Sequence, residues 1–186
     1  MTIAESEIRY ALSTYLDRHP GEAVGMALLL HALDEKHDIT SRKEFRIGHA
    51  TAGAAVVDPH GRVLMIRHKA LGTWLLPGGH IEPEDTSLLG ASLRELEEET
   101  GIPWQQVTSP PALGVIPVDI DIHRIPANPE KGEPEHYHFD FRYAHLVDSA
   151  DVRLQLEEVT GFAWRALSDL PVGLAGRLAP VAGAGR

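Results

Sequence analysis

The chain has 186 residues, 43% of them hydrophobic and 24% charged, with a formal net charge of −10. That size suits one domain with an appendage and a core of useful volume, while the acidic balance argues against a general nucleic-acid binder. The absence of cysteine excludes a disulfide framework and thiolate metal sites and fits a reducing, cytoplasmic setting; no signal peptide is readable, and no apolar stretch approaches the ~20 residues of a membrane span.

Residues 1–45 read as a helical extension ahead of the main domain. Thr2 and Glu5 have capping-box spacing, and Ile8, Leu12, Tyr15 and Leu16 form a helical stripe that His19-Pro20-Gly21 breaks. A second helix is expected from Glu22 to Lys36, apolar around most of its circumference through Val24, Met26, Ala27, Leu28, Leu29, Leu30 and Leu33. Such a helix is usually buried, so this hairpin is expected to pack on the main domain or on a second subunit.

From Ile47 the pattern turns to strands. Gly48–Val57 is small and β-branched, Arg62–His68 alternates apolar with polar, and Asp58-Pro59-His60-Gly61 between them is a turn signal. Arg67, His68 and Lys69 place three cationic or titratable groups just ahead of Trp74. They are either a solvated strand end or contacts to substrate phosphate.

The stretch from Trp74 to Ile102 is the densest in signal. Gly78-Gly79 is a turn, and a helical run follows in which Glu95, Glu98 and Glu99 stand at i, i+3 and i+4. Those positions are neighbours, with Cβ atoms ~5–6 Å apart, so their like charges weaken the helix unless a cation sits among them. Hard divalent cations such as Mg²⁺ take carboxylate oxygens readily. Leu89, Leu93, Leu96 and Thr100 are expected to face the core, and Gly101 reads as a helix stop.

Further on, Leu113–Ile122 is strand-like, and residues 126–134 form a Pro-rich loop. In Glu135–Leu146 the even positions His136, His138, Asp140 and Arg142 alternate with Tyr137, Phe139, Phe141 and Tyr143. One strand face is therefore aromatic and core-like, the other polar. The polar face has three readings: a substrate-facing wall, a transition-metal site through imidazole, or solvated surface. Leu154–Trp164 carries Glu157 and Glu158 ahead of Val159 and Trp164; Ser168–Leu178 is expected as a short last helix, with a frayed tail over 179–186.

Arg94-Glu95-Leu96-Glu97-Glu98-Glu99-Thr100-Gly101-Ile102 matches every defined position in the second half of the Nudix box, G-x5-E-x7-R-E-U-x-E-E-x-G-U, with U an aliphatic residue. The chain resembles the Nudix hydrolase family on these residues. Its first half carries one extra residue between Gly79 and Arg94. Counting forward from Gly79 puts the first acidic position of the box on Asp85. Counting back from Arg94 puts it on Thr86, whose expected job is then to cap the helix.

The resemblance implies an α/β/α sandwich with a mixed sheet over about residues 46–178, and hydrolysis of a nucleoside diphosphate linked to another group X. It implies Mg²⁺ or Mn²⁺ held by Glu95, Glu98 and Glu99, with Arg94 holding the glutamates in place. An acidic residue ahead of Trp164 would serve as general base or further ligand: Glu158 first, Glu157 second. Arg67, His68, Gly79, His80, His136, His138 and Asp140 are the candidate substrate contacts, and a homodimer is the expected assembly. The alternative is a non-catalytic nucleotide-binding or sensor domain. A prenyl-diphosphate isomerase, the other relative of the fold, is disfavoured because it commonly needs a cysteine that this chain lacks.

Overall fold

One strand, β1 (Gly48–Val57), has all ten of its residues buried. Four of them are alanine and two are glycine, so packed layers can approach both faces closely. The computed structural model describes residues 3–149, 151–157 and 159–184. Along its whole length β1 runs parallel to β7 (His136–Val147), from Gly48 opposite Tyr137 to Val57 opposite Leu146. Its other edge pairs antiparallel with β4 (Gly78–His80) and, at Val57, with β2 (Val63–His68). β2 in turn pairs with β3 (Trp74–Leu75) and β8 (Val159–Arg165), while β7 pairs with β5 (Val107–Thr108) and β6 (Asp119–Ile125). All these pairings but β1–β7 are antiparallel, so the eight-stranded sheet is mixed as expected.

Helices cover both faces. Even-numbered residues of β1 (Ala50, Ala52, Ala54, Val56) pack under α1 (Glu5–Arg18), α2 (Ala27–Asp34) and α3 (Leu88–Thr100). Odd-numbered Ala55 and Val57 pack under α4 (Val172–Ala184) through Leu174, Leu178 and Val181. The expected aromatic face of β7 is core: Phe139, Phe141 and Tyr143 are buried with Ile8, Leu12, Tyr15, Leu29 and Leu33 from the first two helices. The N-terminal hairpin therefore packs on the main sheet of its own chain.

Several boundaries differ from the sequence reading. Helix α1 starts after Ala4, whose side chain cannot cap, and Thr2 lies outside the described residues. Pro20–Glu22 forms a single 3₁₀ turn, and α2 is short. Its circumference is not wholly buried: Val24, ahead of it, and Leu30 are exposed. The strand expected from Leu113 begins only at Asp119, because residues 110–116 close turns on themselves. The last helix runs on to Ala184 through Pro180, with Val181 and Ala182 buried, where a frayed tail was expected.

The start of α3 settles which residue caps it. Ser87 is the N-cap, in extended conformation, and its Oγ accepts the Gly90 N–H at 2.9 Å. Thr86 is exposed and makes no such bond. At the other end Gly101 takes the left-handed conformation, φ 69°, and its N–H reaches Glu97 O, the stop that its position promised. Leu93, expected in the core stripe, is only half-buried; Ala91, Ser92 and Leu96 take the inner side instead.

Ser87→Ala is expected to lower stability by ~1 kcal/mol, while Thr86→Ala changes it by less than ~0.5 kcal/mol; urea unfolding of the two variants checks this. A second outcome follows from His145, 1% exposed, whose ring lies 3.2 Å from Ser92 Oγ. That hydroxyl donates to Leu89 O, so His145 Nε2 donates to it. Burial pushes His145 down to about 4. The unfolded chain then binds more protons between pH 6.5 and 4, so stability is full above pH 6.5 and falls on acidification, by about 2 kcal/mol from this group at pH 5. His145→Gln should flatten that part of the stability–pH curve, measured by denaturant unfolding at each pH.

Candidate functional site

The acidic side of α3 docks against the turn that enters β4. Gly78 N–H donates to Glu99 Oε2 at 2.9 Å, and Glu99 is only 3% exposed. Neither glycine has room for a side chain: a Cβ on Gly78 would lie 2.7 Å from Ala52 O of β1, and one on Gly79 would lie 2.6 Å from Glu95 Oε1 of α3. The two glycines therefore let strand and helix touch backbone to carboxylate.

Arg94 ties this arrangement together. Its Nε and Nη2 donate to the two carboxylate oxygens of Asp85 at 3.0 and 2.9 Å, and Nη2 also reaches His80 O at 2.9 Å. Its Nη1 donates to Glu95 Oε1 and Glu98 Oε2, both at 2.9 Å. The hydrogen bonds to Asp85 keep the guanidinium firmly charged. Asp85 is itself 7% exposed and accepts Glu82 N–H at 2.8 Å, which shapes the lengthened loop. Asp85 thus makes the carboxylate–arginine pair at the first acidic position of the motif, and Thr86 does not. Glu98 is the exposed member of the helical triad.

The opposite face of the sheet carries the polar side of β7. Strand register places residues in rows: His49 beside His138 and His123, and Thr51 beside His80, Asp140 and Asp121. In the second row Asp140 accepts Thr51 Oγ1 at 3.0 Å and Arg142 Nε at 2.8 Å. Asp140 is thus held by Thr51 and Arg142, and the carboxylate beside an imidazole is Asp121, 3.0 Å from His123 Nδ1. Arg142 also reaches Asp119 and Asp121, both at 2.8 Å. Arg177 on α4 pairs with Asp119 and Glu22, which joins the hairpin to the last helix.

Around the first row the imidazoles form a knot, joined by His80 and His136. His49 ring centroids lie 5.1 Å from His80, 4.8 Å from His138 and 4.8 Å from His136. His136 is buried against Phe45 and donates from Nδ1 to Pro134 O at 2.8 Å, so it backs the polar face rather than lining it. Burial, reinforced by His80, pushes His49 down to about 4; burial, reinforced by Arg42, does the same to His80. His138 goes down to about 2 through burial and its imidazole neighbours.

Other expected contacts lie elsewhere. Arg67 is exposed, its residue paired with Trp74, and its carbonyl accepts Thr160 Oγ1 at 3.2 Å. His68 Nδ1 accepts Leu71 N–H at 3.2 Å. These bonds brace the turn before β3 and the start of β8, and none of them reaches the acidic helix. Glu157 is exposed in the loop before β8, and Glu158 lies outside the described residues. His49, Asp121 and His123 were missed by the sequence reading, and Asp85 was weighed only against Thr86. Asp85 alone had a signal, as the forward count from Gly79; the other three become neighbours only through strand register.

Residues 48–183 match the sequence model of the family described as NUDIX domain. A probable DHNTP pyrophosphohydrolase of Lactococcus lactis subsp. cremoris (strain MG1363) is 32% identical over 111 residues, 60% of this chain and 61% of that protein. A MutT-like protein of Streptomyces ambofaciens is 46% identical over 52 residues, 28% of this chain and 33% of that one. The chain thus spans less than two thirds of the curated relatives it matches. Among solved structures, a Caenorhabditis elegans Ap4A hydrolase binary complex superposes with TM-score 0.55 at 19% identity, covering 73% of this chain and 96% of that one. A NUDIX-family hydrolase from Clostridium perfringens superposes with TM-score 0.51 at 22% identity, covering 74% and 95%. At such identities these two likenesses speak for the fold.

Asp85→Asn keeps the shape but removes the charge opposite Arg94. It is expected to lower stability by ~2 kcal/mol, since a partly buried guanidinium loses its bidentate partner; thermal and urea unfolding measure it.

Proposed function

The chain belongs to the Nudix family, and from that premise we propose that it is a metal-dependent hydrolase of a diphosphate linkage in a nucleoside diphosphate derivative. The observation that carries this reading is the acidic side of α3, with Glu95, Glu98 and Glu99 held against the Gly78–Gly79 turn by Arg94 and the Gly78 N–H. The curated relative named as a probable pyrophosphohydrolase supports it.

The donor set fits Mg²⁺ or Mn²⁺. All three groups are hard carboxylates at i, i+3 and i+4, the oxygen chemistry that these ions take. Bound there, the ion would offset diphosphate charge and lower the pKa of a water. The chain's own residues supply the rest. Arg94 fixes the rotamers of Glu95 and Glu98 by two hydrogen bonds from one nitrogen, so their oxygens are already placed when substrate arrives. The Gly78 amide fixes Glu99 in the same way. The bare Gly78–Gly79 backbone lets the turn lie directly against Glu95 and Glu99. Glu158 is our candidate for the carboxylate that removes a proton from water, with Glu157 as the substitute.

We assign substrate contacts to Gly79, His80, His138 and Asp140, on the turn and the polar face beyond it, with Arg142 extending that face toward α4. Arg67, with an exposed side chain, and the adjacent His68 are kept as further candidates for substrate phosphate. A nucleotide sensor without turnover is the competing reading, and it requires the same glutamates to bind without hydrolysis.

Glu99→Gln is a clean test, because its amide oxygen can still accept from Gly78. Turnover of a panel of nucleoside diphosphate derivatives in Mg²⁺ or Mn²⁺, read by product-resolved chromatography, should fall ~10²-fold or more with the fold retained. An undiminished rate in saturating metal would remove the assignment, and binding by wild type without any product would favour the sensor.

A further inference from the structure

Three imidazoles from three strands converge beyond the acidic helix. His49 stands on β1, His80 on β4 and His138 on β7, and one ring nitrogen from each lies within 4.8 Å of the other two. Register puts them on the sheet face opposite α3. Gly79 pairs with Ala52 and its missing Cβ points at Glu95, so the next residue, His80, points the other way.

The hydrogen bonding of His49 is the decisive detail. Its Nδ1 faces Glu44 O at 3.4 Å, and a carbonyl only accepts, so the proton sits on Nδ1. Nε2 is then a lone-pair acceptor. It is buried with no hydrogen-bond partner, the one such side-chain atom among the described residues, on a side chain that is 1% exposed. An unpaired buried acceptor costs ~1–3 kcal/mol. No neighbouring side chain donates to it, and a cation can take the lone pair. A ligating histidine commonly gives its other N–H to a backbone carbonyl, which holds the ring in orientation. His49 has that arrangement already.

We propose that His49, His80 and His138 form a binding site for a zinc-class divalent ion, separate from the carboxylate site on α3. Imidazole favours late first-row metals over Mg²⁺. Zn²⁺ with three histidines keeps a fourth position open, at Zn–N distances of ~2.0–2.1 Å. Tetrahedral ligands at that distance stand ~3.3 Å apart, so the three rings close by about 1 Å on binding. All three rings are neutral at pH 7, the form that ligates. Asp121 and Asp140 face the same side two residues along their strands from His123 and His138, and supply nearby negative charge. A bound ion would pin β4, and with it the Gly78–Gly79 turn, to the centre of the sheet.

Zinc binding here requires nothing of the hydrolase reading. The test uses full-length protein stripped with EDTA and dialysed, then titrated calorimetrically with ZnCl₂ in a large excess of Mg²⁺, with elemental analysis after gel filtration. One zinc per chain is expected to remain. His49→Gln, His80→Gln and His138→Gln should each weaken zinc about 100-fold or more. His31→Gln, at an exposed position, and Glu98→Gln, on the acidic helix, should leave it unchanged. Circular dichroism checks the fold. If the buried His49→Gln chain does not fold, the two partly buried positions decide, together with Co²⁺, whose visible bands should report imidazole coordination in wild type and vanish in His138→Gln. The proposal is overturned if wild type retains no zinc, if zinc survives both His80→Gln and His138→Gln, or if Glu98→Gln abolishes it.

Discussion

The guanidinium of Arg94 sits where loop, strand and helix meet, and the candidate site depends on it. It holds Asp85 in the loop, the His80 carbonyl on β4, and Glu95 and Glu98 on its own helix. Three carboxylates crowded beside one another would otherwise drive each other into solvent. A planar group with five fixed donors can satisfy them from one place, which the point charge of a lysine would not do. Glu95, which Arg94 holds, lies so close to the turn that Gly79 must stay without a side chain, while β1 imposes the same on Gly78.

Around that clamp the fold is a matter of close approach. The small residues of β1 let α1, α2 and α3 pack on one face and α4 on the other. The N-terminal hairpin is part of this construction. Its Tyr15 lies in the main core and donates to Glu22 at 2.6 Å, and Glu22 in turn pairs with Arg177 on the last helix. The hairpin thus closes one side of a cleft of about 340 Å³ lined by Glu22, Asp119, Asp121, Arg142 and Arg177. That cleft continues the polar face of β7, so the extension forms part of its wall.

The two halves of the candidate site differ in chemistry because they lie on different sides of the sheet. The α3 side presents hard carboxylates organised by an arginine. The other side presents imidazoles, then aspartates bridged by Arg142. His80 belongs to both: its carbonyl is held by Arg94, and its ring points to the imidazoles.

What the sequence determined by itself was local or periodic. The i, i+3, i+4 glutamates, the Gly101 stop and the alternation of β7 were legible because each is written in neighbouring residues and depends on backbone geometry alone. The mixed sheet and its family followed from the motif. The cap was misread by one residue, since Thr86 and Ser87 are chemically alike and only the exit angle of the lengthened loop selects between them. Asp85 acquired its role from a buried partner nine positions away. The imidazole cluster was beyond reach, because His49, His80 and His138 are far apart in the chain. They meet only when parallel β1–β7 pairing and antiparallel β1–β4 pairing fix a register in which a shift of one residue would turn each ring to the other face.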